Sequence, residues 1–178
     1  GGMVVSDGRE LAARVRHLST QAKRDPIEHI HDDVGFNYRL TNIQAAMGCA
    51  QLERLAHHLA AKRRIAERYD AAFAALAGIH PMPRASWADS ALWMYTVRID
   101  PQAFGMDRRA LMKRLGELQI ESRPLWQPMH LSPAHAGRMT LGGEVAAWLF
   151  ENCISLPCSV DLTNEAQDRV IATLMQAC

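Results

Sequence analysis

The helical period between Thr41 and Leu76 constrains this chain more than any other feature. Ile43, Met47, Leu55, Leu59, Ile65, Tyr69, Phe73 and Leu76 recur mostly at multiples close to the helical repeat. Ala, Gln, Glu, Arg and Lys, all good helix formers, fill the positions between them. Thr41 is a suitable N-cap, and Gln44 stands three residues on, where a capping box needs it. Gly48 is the one weak interior residue. Gly78, with Pro81 and Pro83 beyond it, supplies the stop. A helix of that length, apolar along one face and without an internal break, either crosses between domains or packs on a partner subunit. The chain is therefore expected to divide into residues 1–40, a long linking helix over 41–77, and a domain over 78–178.

The run leading into that helix, GFNYRLTNIQ, is dense in hydrogen-bonding heads. Gly35 permits a sharp or positive-φ entry, and Asn37, Tyr38 and Arg39 place an amide, a phenol and a guanidinium side by side ahead of a helix N-terminus. Such a group suits an anion such as a phosphate. An ordinary loop before a well-capped helix explains the same residues, and Arg39 paired with Asp32 or Asp33 is an equal alternative. Both readings stand at this point.

On either side the pattern is α/β. Gly2–Ser6 reads as a short strand, and Leu11, Val15 and Leu18 align on one face of a helix over Arg9–Leu18. The chain begins directly in that strand-like run and is expected to be a fragment. Residues 19–37 form a long polar connection carrying Pro26, His29, His31, Asp25, Glu28, Asp32 and Asp33; structureless loops of this length are usually functional or mobile. Beyond the linker over 78–83, Leu92–Ile99 reads as a strand and Asp107 caps a helix over Arg108–Leu118. Ile120–Arg123 is a second strand closed by Pro124, followed by the Pro-punctuated loop RPLWQPMHLSP. Glu144–Phe150 is a helix, Cys153–Leu156 a third strand, and Thr163 caps a last helix that buries Val170, Ile171, Leu174 and Met175. This alternation predicts a small α/β sandwich with helices on one face of a sheet.

Composition limits the function. With 178 residues, 48% of them apolar, and a formal net charge of +1, the chain has a core of ordinary size and no overall field for nucleic acid or an anionic membrane. No apolar run has membrane-spanning length. Cys49, Cys153, Cys158 and Cys178 lack CxxC spacing, the histidines supply no metal set, and the expected setting is reducing and cytoplasmic.

Three stretches then carry a resemblance: GGMVVSDGREL at the start, GFNYRLTNIQAAMGCAQLERL at the helix, and the pair ESRPLWQPMH and ISLPCSVDLT. In this order they resemble the C-terminal part of the DegT/DnrJ/EryC1/StrS family of sugar aminotransferases, pyridoxal-phosphate enzymes of aspartate-aminotransferase-like fold, known as fold type I. The run LSTQAKRDPIEHIHDDVGFNYRLTNIQAA is similar to the subgroup that aminates UDP- or GDP-linked 4-keto-6-deoxy sugars in perosamine, bacillosamine or legionaminic acid pathways. The resemblance implies a large-domain remnant, a linking helix and a small α/β domain. It implies a homodimer, a nucleotide-sugar substrate and an amino donor, glutamate in the family, with transfer to C4 of the sugar. It places the cofactor's covalent lysine upstream of Gly1, and none of Lys23, Lys62 or Lys113 is expected to take that role. No residue of this chain is expected to be catalytic, and the chain alone is expected to be inactive. By the same resemblance Asn37 and Arg39 contact the cofactor phosphate of the other subunit, with Tyr38 as packing or a secondary contact, and Arg123, Trp126 and His130 wall the nucleotide-sugar pocket. Two further readings stand beside it. One is a helix-mediated interaction module with Ile43, Met47, Leu55 and Leu59 as its seam; the other is a nucleotide-sugar-binding domain without chemistry.

Overall fold

The computed structural model of the chain describes residues 2–25 and 27–177. Gly1, Pro26 and Cys178, which the sequence reading placed in the opening run, the polar connection and the cysteine set, lie outside the described residues. The chain divides into two compact units, Gly1–Leu55 and Ala56–Cys178.

The first unit contains helices α1 (Arg9–Ser19) and α2 (Asn42–Glu53). The strand predicted over Gly2–Ser6 does not form. Met3, Val4 and Val5 are exposed and have no ladder partner, and a strand needs one whatever its composition, because its backbone groups bond between chains of a sheet. Helix α1 forms as predicted, with Val15 and Leu18 half-buried but Leu11 exposed. Residues 19–37 are not structureless. Isolated bridges pair Thr20 with Asn37 and Lys23 with His31. The Gln21 N–H donates to the Phe36 carbonyl at 3.1 Å, and the Phe36 N–H to the Leu18 carbonyl at 2.7 Å. Side chains of α1 fasten the far lobe, His17 Nε2 lying 2.6 Å from Asp32 Oδ1 and Arg14 pairing with Asp33.

The predicted capping box is present. The Gln44 N–H donates to Thr41 Oγ1 at 3.3 Å, and the Thr41 N–H to Gln44 Oε1 at 3.1 Å. The single long helix is not. Arg54 leaves helical geometry (φ −99°, ψ 2°), so that α2 ends at Glu53 and α3 runs from Leu55 to Phe73. Helix α2 buries none of its residues, whereas α3 buries Ala61, Ile65, Ala66, Tyr69 and Phe73. Packing within the second unit therefore fixes α3, whereas none of α2 is buried.

The second unit continues from α3 with β1 (Ile79–Pro81), β2 (Tyr95–Ile99), α4 (Pro101–Phe104), α5 (Arg108–Glu117) and β3 (Arg123–Pro124). Two single 3₁₀ turns, Met129–Leu131 and Pro133–His135, precede α6 (Glu144–Asn152), β4 (Cys153–Leu156) and α7 (Asn164–Met175). The four strands form an antiparallel sheet in the order β1-β2-β4-β3. Strand β1 lies where a linker was predicted. Its Pro81, like Pro124 in β3, sits on an outer strand, where the missing N–H takes no ladder bond from the interior. The predicted strands over Leu92–Ile99 and Ile120–Arg123 are shorter than expected, or shifted, to Tyr95–Ile99 and Arg123–Pro124.

Ile65, Tyr69 and Phe73 of α3, Leu111 and Leu115 of α5, and Val170 and Leu174 of α7 pack on Val97, Ile99, Ile154 and Leu156 to form the core. Each such side chain contributes roughly 1.5–3 kcal/mol by leaving water. Met175 stays 47% exposed rather than joining that face. Along β2, Tyr95, Val97 and Ile99 are buried while Thr96 and Arg98 point to the other face. There the Arg98 guanidinium carbon lies 5.5 Å from the ring centre of Trp148 on α6. All four residues of β4 are buried. The sheet is thus covered on both faces at its centre, a correction to the single helical layer predicted.

Candidate functional site

In the first unit, the pairing of residues 18–21 with 36–38 brings the end of α1 against the entry to α2. Gly35 makes the approach possible through space rather than through a positive φ: a Cβ there would stand 2.4 Å from both the Ala22 nitrogen and the Gln21 carbonyl carbon. The result is a groove of about 900 Å³ whose polar lining includes Arg16, Ser19, Asn37, Tyr38, Arg39 and Gln44, with Met3, Val4 and Val15 among its apolar residues.

The three heads expected at an anion site all line this groove. Among the described residues none of the Asn37 amide, the Tyr38 hydroxyl or the Arg39 guanidinium has a hydrogen-bond partner. Asp32 and Asp33 are taken by His17 and Arg14, so the alternative pairing with Arg39 does not occur. Tyr38 is 76% exposed, and its ring stacks on Phe36 with centres 5.3 Å apart. The helix N-terminus offers fewer free donors than expected, because Asn42 Oδ1 accepts from the Ile43 N–H and Thr41 Oγ1 from the Gln44 N–H. Its contribution is a favourable field rather than a set of open N–H groups. Arg16, a second guanidinium in the groove, was missed because it stands on α1, remote in sequence from Asn37–Arg39, and only the fold brings it there.

In the second unit the Pro-rich loop is only partly convergent. Arg123 is exposed and donates through Nε and Nη2 to Glu121 Oε1 at 3.0 and 2.8 Å. Trp126 stacks on Trp93, centres 5.7 Å apart and planes 18° from parallel. Both indoles are largely exposed. A cavity of about 340 Å³ lies between Trp93 with Glu121–Arg123 on one side and Lys62 with Ser155–Ser159 on another. Arg123 lines this cavity; Trp126 does not, and touches Trp93, which does. His130 is not among its lining residues; its ring packs on Gly143, where a Cβ would approach Cε1 to 2.7 Å. Trp93 went unrecognised in the sequence because it stands inside an apolar run read as strand.

The three lysines are all engaged within the chain. Lys23 Nζ is 3.0 Å from His29 Nδ1, Lys113 pairs with Glu117 at 3.9 Å, and Lys62 donates to the carbonyls of Trp93 and Cys158 at 2.8 and 2.5 Å. The lining of the groove at Asn37–Arg39 includes no lysine. Among the described residues no cluster of His, Cys, Asp and Glu could hold a metal ion, and no helix is long and apolar enough to cross a membrane.

The profile of the DegT/DnrJ/EryC1/StrS aminotransferase family matches residues 1–175. The chain belongs to this family. GDP-perosamine synthase of Caulobacter vibrioides is 39% identical over 177 residues, which are 99% of this chain and 47% of that protein. EpsN of Bacillus subtilis, described as a pyridoxal phosphate-dependent aminotransferase, is 35% identical over 179 residues, covering 98% of this chain and 45% of that protein. Among solved structures, DesV of S. venezuelae matches with a TM-score of 0.82 at 29% identity, over 97% of this chain and 45% of that one. The chain spans about half the length of the curated relatives it matches. Its architecture is that of the fold type I sugar aminotransferases, and the family's cofactor is pyridoxal phosphate. The groove fits the phosphate end of that cofactor, with two guanidinium groups and an amide, and carries no amine for its aldehyde.

Proposed function

We propose that this chain supplies one side of the pyridoxal-phosphate site of a sugar aminotransferase. The observation that carries the reading is the set of unpartnered heads at Asn37, Tyr38 and Arg39 lining one groove. Arg39 would hold the phosphate through its fork of N–H donors and Asn37 through its amide, with Tyr38 packing beside them. When bound, the cofactor supplies the electron sink for amino-group transfer; the residues of this chain hold its phosphate and set its position. The covalent lysine is contributed by residues other than Lys23, Lys62 and Lys113, and the cofactor phosphate held here belongs to the site of a second subunit in a homodimer. Exposure of Ile43, Met47 and Leu55 in the first unit supports the homodimer by leaving apolar side chains along and just after α2 uncovered.

The proposed substrate is a nucleotide-linked 4-keto-6-deoxy sugar, aminated at C4 with glutamate as donor, in the cytoplasm. Arg123 and Trp126 wall the nucleotide-sugar pocket, and His130 reaches it only if its ring leaves Gly143. By itself the chain holds no covalent cofactor and turns nothing over.

Titration with pyridoxal phosphate, followed by calorimetry, tests the phosphate role. A charge-assisted hydrogen bond is worth about 1.5–3 kcal/mol, so Arg39→Ala should weaken binding by about ten- to a hundredfold and Asn37→Ala by less. Equal affinity of wild type and Arg39→Ala would remove the basis of this reading.

A further inference from the structure

We propose that Lys62 and Cys158 form an oxidative cross-link site: peroxide converts the pair into a sulfur–nitrogen bond, and thiols undo it. Lys62 Nζ lies 3.5 Å from Cys158 Sγ, and two carbonyls keep it there, those of Trp93 at 2.8 Å and of Cys158 itself at 2.5 Å. The sulfur also lies 3.5 Å from the Trp93 carbonyl oxygen, so both reacting side chains share one anchor. Cys158 is only 8% exposed, yet it and Lys62 line the same 340 Å³ cavity, which gives a small oxidant a route to the sulfur. The other cysteines among the described residues differ. Cys153 is buried, with its thiol pushed up by burial, and Cys49 is exposed on α2; neither has a lysine amine in contact among the described residues.

The chemistry balances in two steps. The Cys158 sulfur attacks hydrogen peroxide, forming an S–O bond and breaking the O–O bond; the sulfur is oxidised to sulfenic acid and one water leaves. The Lys62 ammonium then gives up a proton to solvent and its nitrogen attacks the sulfenic sulfur. The S–N bond forms, the S–O bond breaks and a second water departs. In the reverse direction two small-molecule thiols reduce the S–N bond, regenerate the free thiol and amine, and leave as a disulfide. The bond would tie α3 to the segment after β4 and remove the thiol donor and the ammonium charge from the Trp93 carbonyl. The cross-link requires no aminotransferase activity.

The test is peptide mapping by mass spectrometry of the whole chain after mild treatment with hydrogen peroxide. The expected product is a peptide pair joined through Lys62 and Cys158, lighter by two hydrogens than the two peptides together, and split by dithiothreitol. Cys158→Ser should abolish it. Lys62→Arg should also abolish it, leaving a sulfenic acid at Cys158 that dimedone traps. Should either variant fail to fold, the wild-type map decides alone. Conversion of Cys158 to sulfinic acid with Lys62 unmodified, a joined pair that retains the oxygen, or no change at either residue would overturn the proposal.

Discussion

A methyl group at Gly35 has nowhere to go, since the Ala22 nitrogen and the Gln21 carbonyl carbon both lie 2.4 Å from where it would stand. Either the backbone of residues 35–36 moves away from 21–22 or the bond from the Gln21 N–H to the Phe36 carbonyl lengthens. Gly35→Ala should therefore lower stability by about 1–3 kcal/mol, the usual range for forced overpacking, and weaken pyridoxal-phosphate binding by displacing Asn37–Arg39. Urea unfolding followed by circular dichroism reads the first effect; an unchanged midpoint would show that the close approach is not required. Asn37, Tyr38 and Arg39 could be picked out in the sequence because they are contiguous, and one loop carries all three heads to one groove. Trp93 and Lys62 could not, because their neighbours Trp126 and Cys158 are distant in the chain and only the sheet brings them together.

Among the elements, helix starts were the most readable. Thr41, Asp107 and Thr163 each accept the backbone N–H expected of an N-cap, since capping is decided within a few residues. Strands were less so, because their partners are remote: the valines before Asp7 form none, while the proline-bearing β1 does. Nor did anything mark the break at Arg54, where no glycine or proline stands nearby. The connection over 19–37 is ordered chiefly by contacts to α1, and this makes it acid-sensitive. The Arg14 guanidinium, aided by the Val34 N–H, holds the Asp33 carboxyl below its ordinary range. A carboxyl depressed in the folded state stabilises above its unfolded value, near pH 4, and that stabilisation is lost as pH falls through the lower folded value. Protection of the Gln21, Phe36 and Tyr38 amides against hydrogen exchange, relative to their intrinsic rates, should therefore fall as the solution is acidified below about pH 4, and Asp33→Asn should show the lower protection already at neutral pH. Protection independent of pH over that range would exclude this fastening.

For the whole molecule, the second unit holds nearly all of the buried core and fixes the response to alkali. Burial raises the hydroxyls of Tyr69 and Tyr95 above the ordinary phenol range, and for Tyr95 the hydrogen bond to Asp70 Oδ1, at 2.7 Å, adds to the effect. The folded state keeps these protons after the unfolded chain would release them, so the stabilisation is complete below about pH 10 and declines as pH climbs from there through the folded values. Tyr95→Phe should lose about 1 kcal/mol at neutral pH, the worth of a typical hydrogen bond, yet show a shallower alkaline decline in thermal-melt midpoint. Parallel curves for the two proteins would contradict the assignment.

The strand order β1-β2-β4-β3 also sets a timetable for synthesis. Strand β4 completes the middle of the sheet, pairing Tyr95 with Leu156 and Ser155 with Arg123, yet it is the last strand to leave the ribosome. Until Leu156 emerges, β2 presents a bare inner edge and β3 has no neighbour at all. The nascent chain thus carries an open edge between the emergence of Ile99 and that of Leu156, a period in which other chains can pair with it, and the core is covered only when α7 follows.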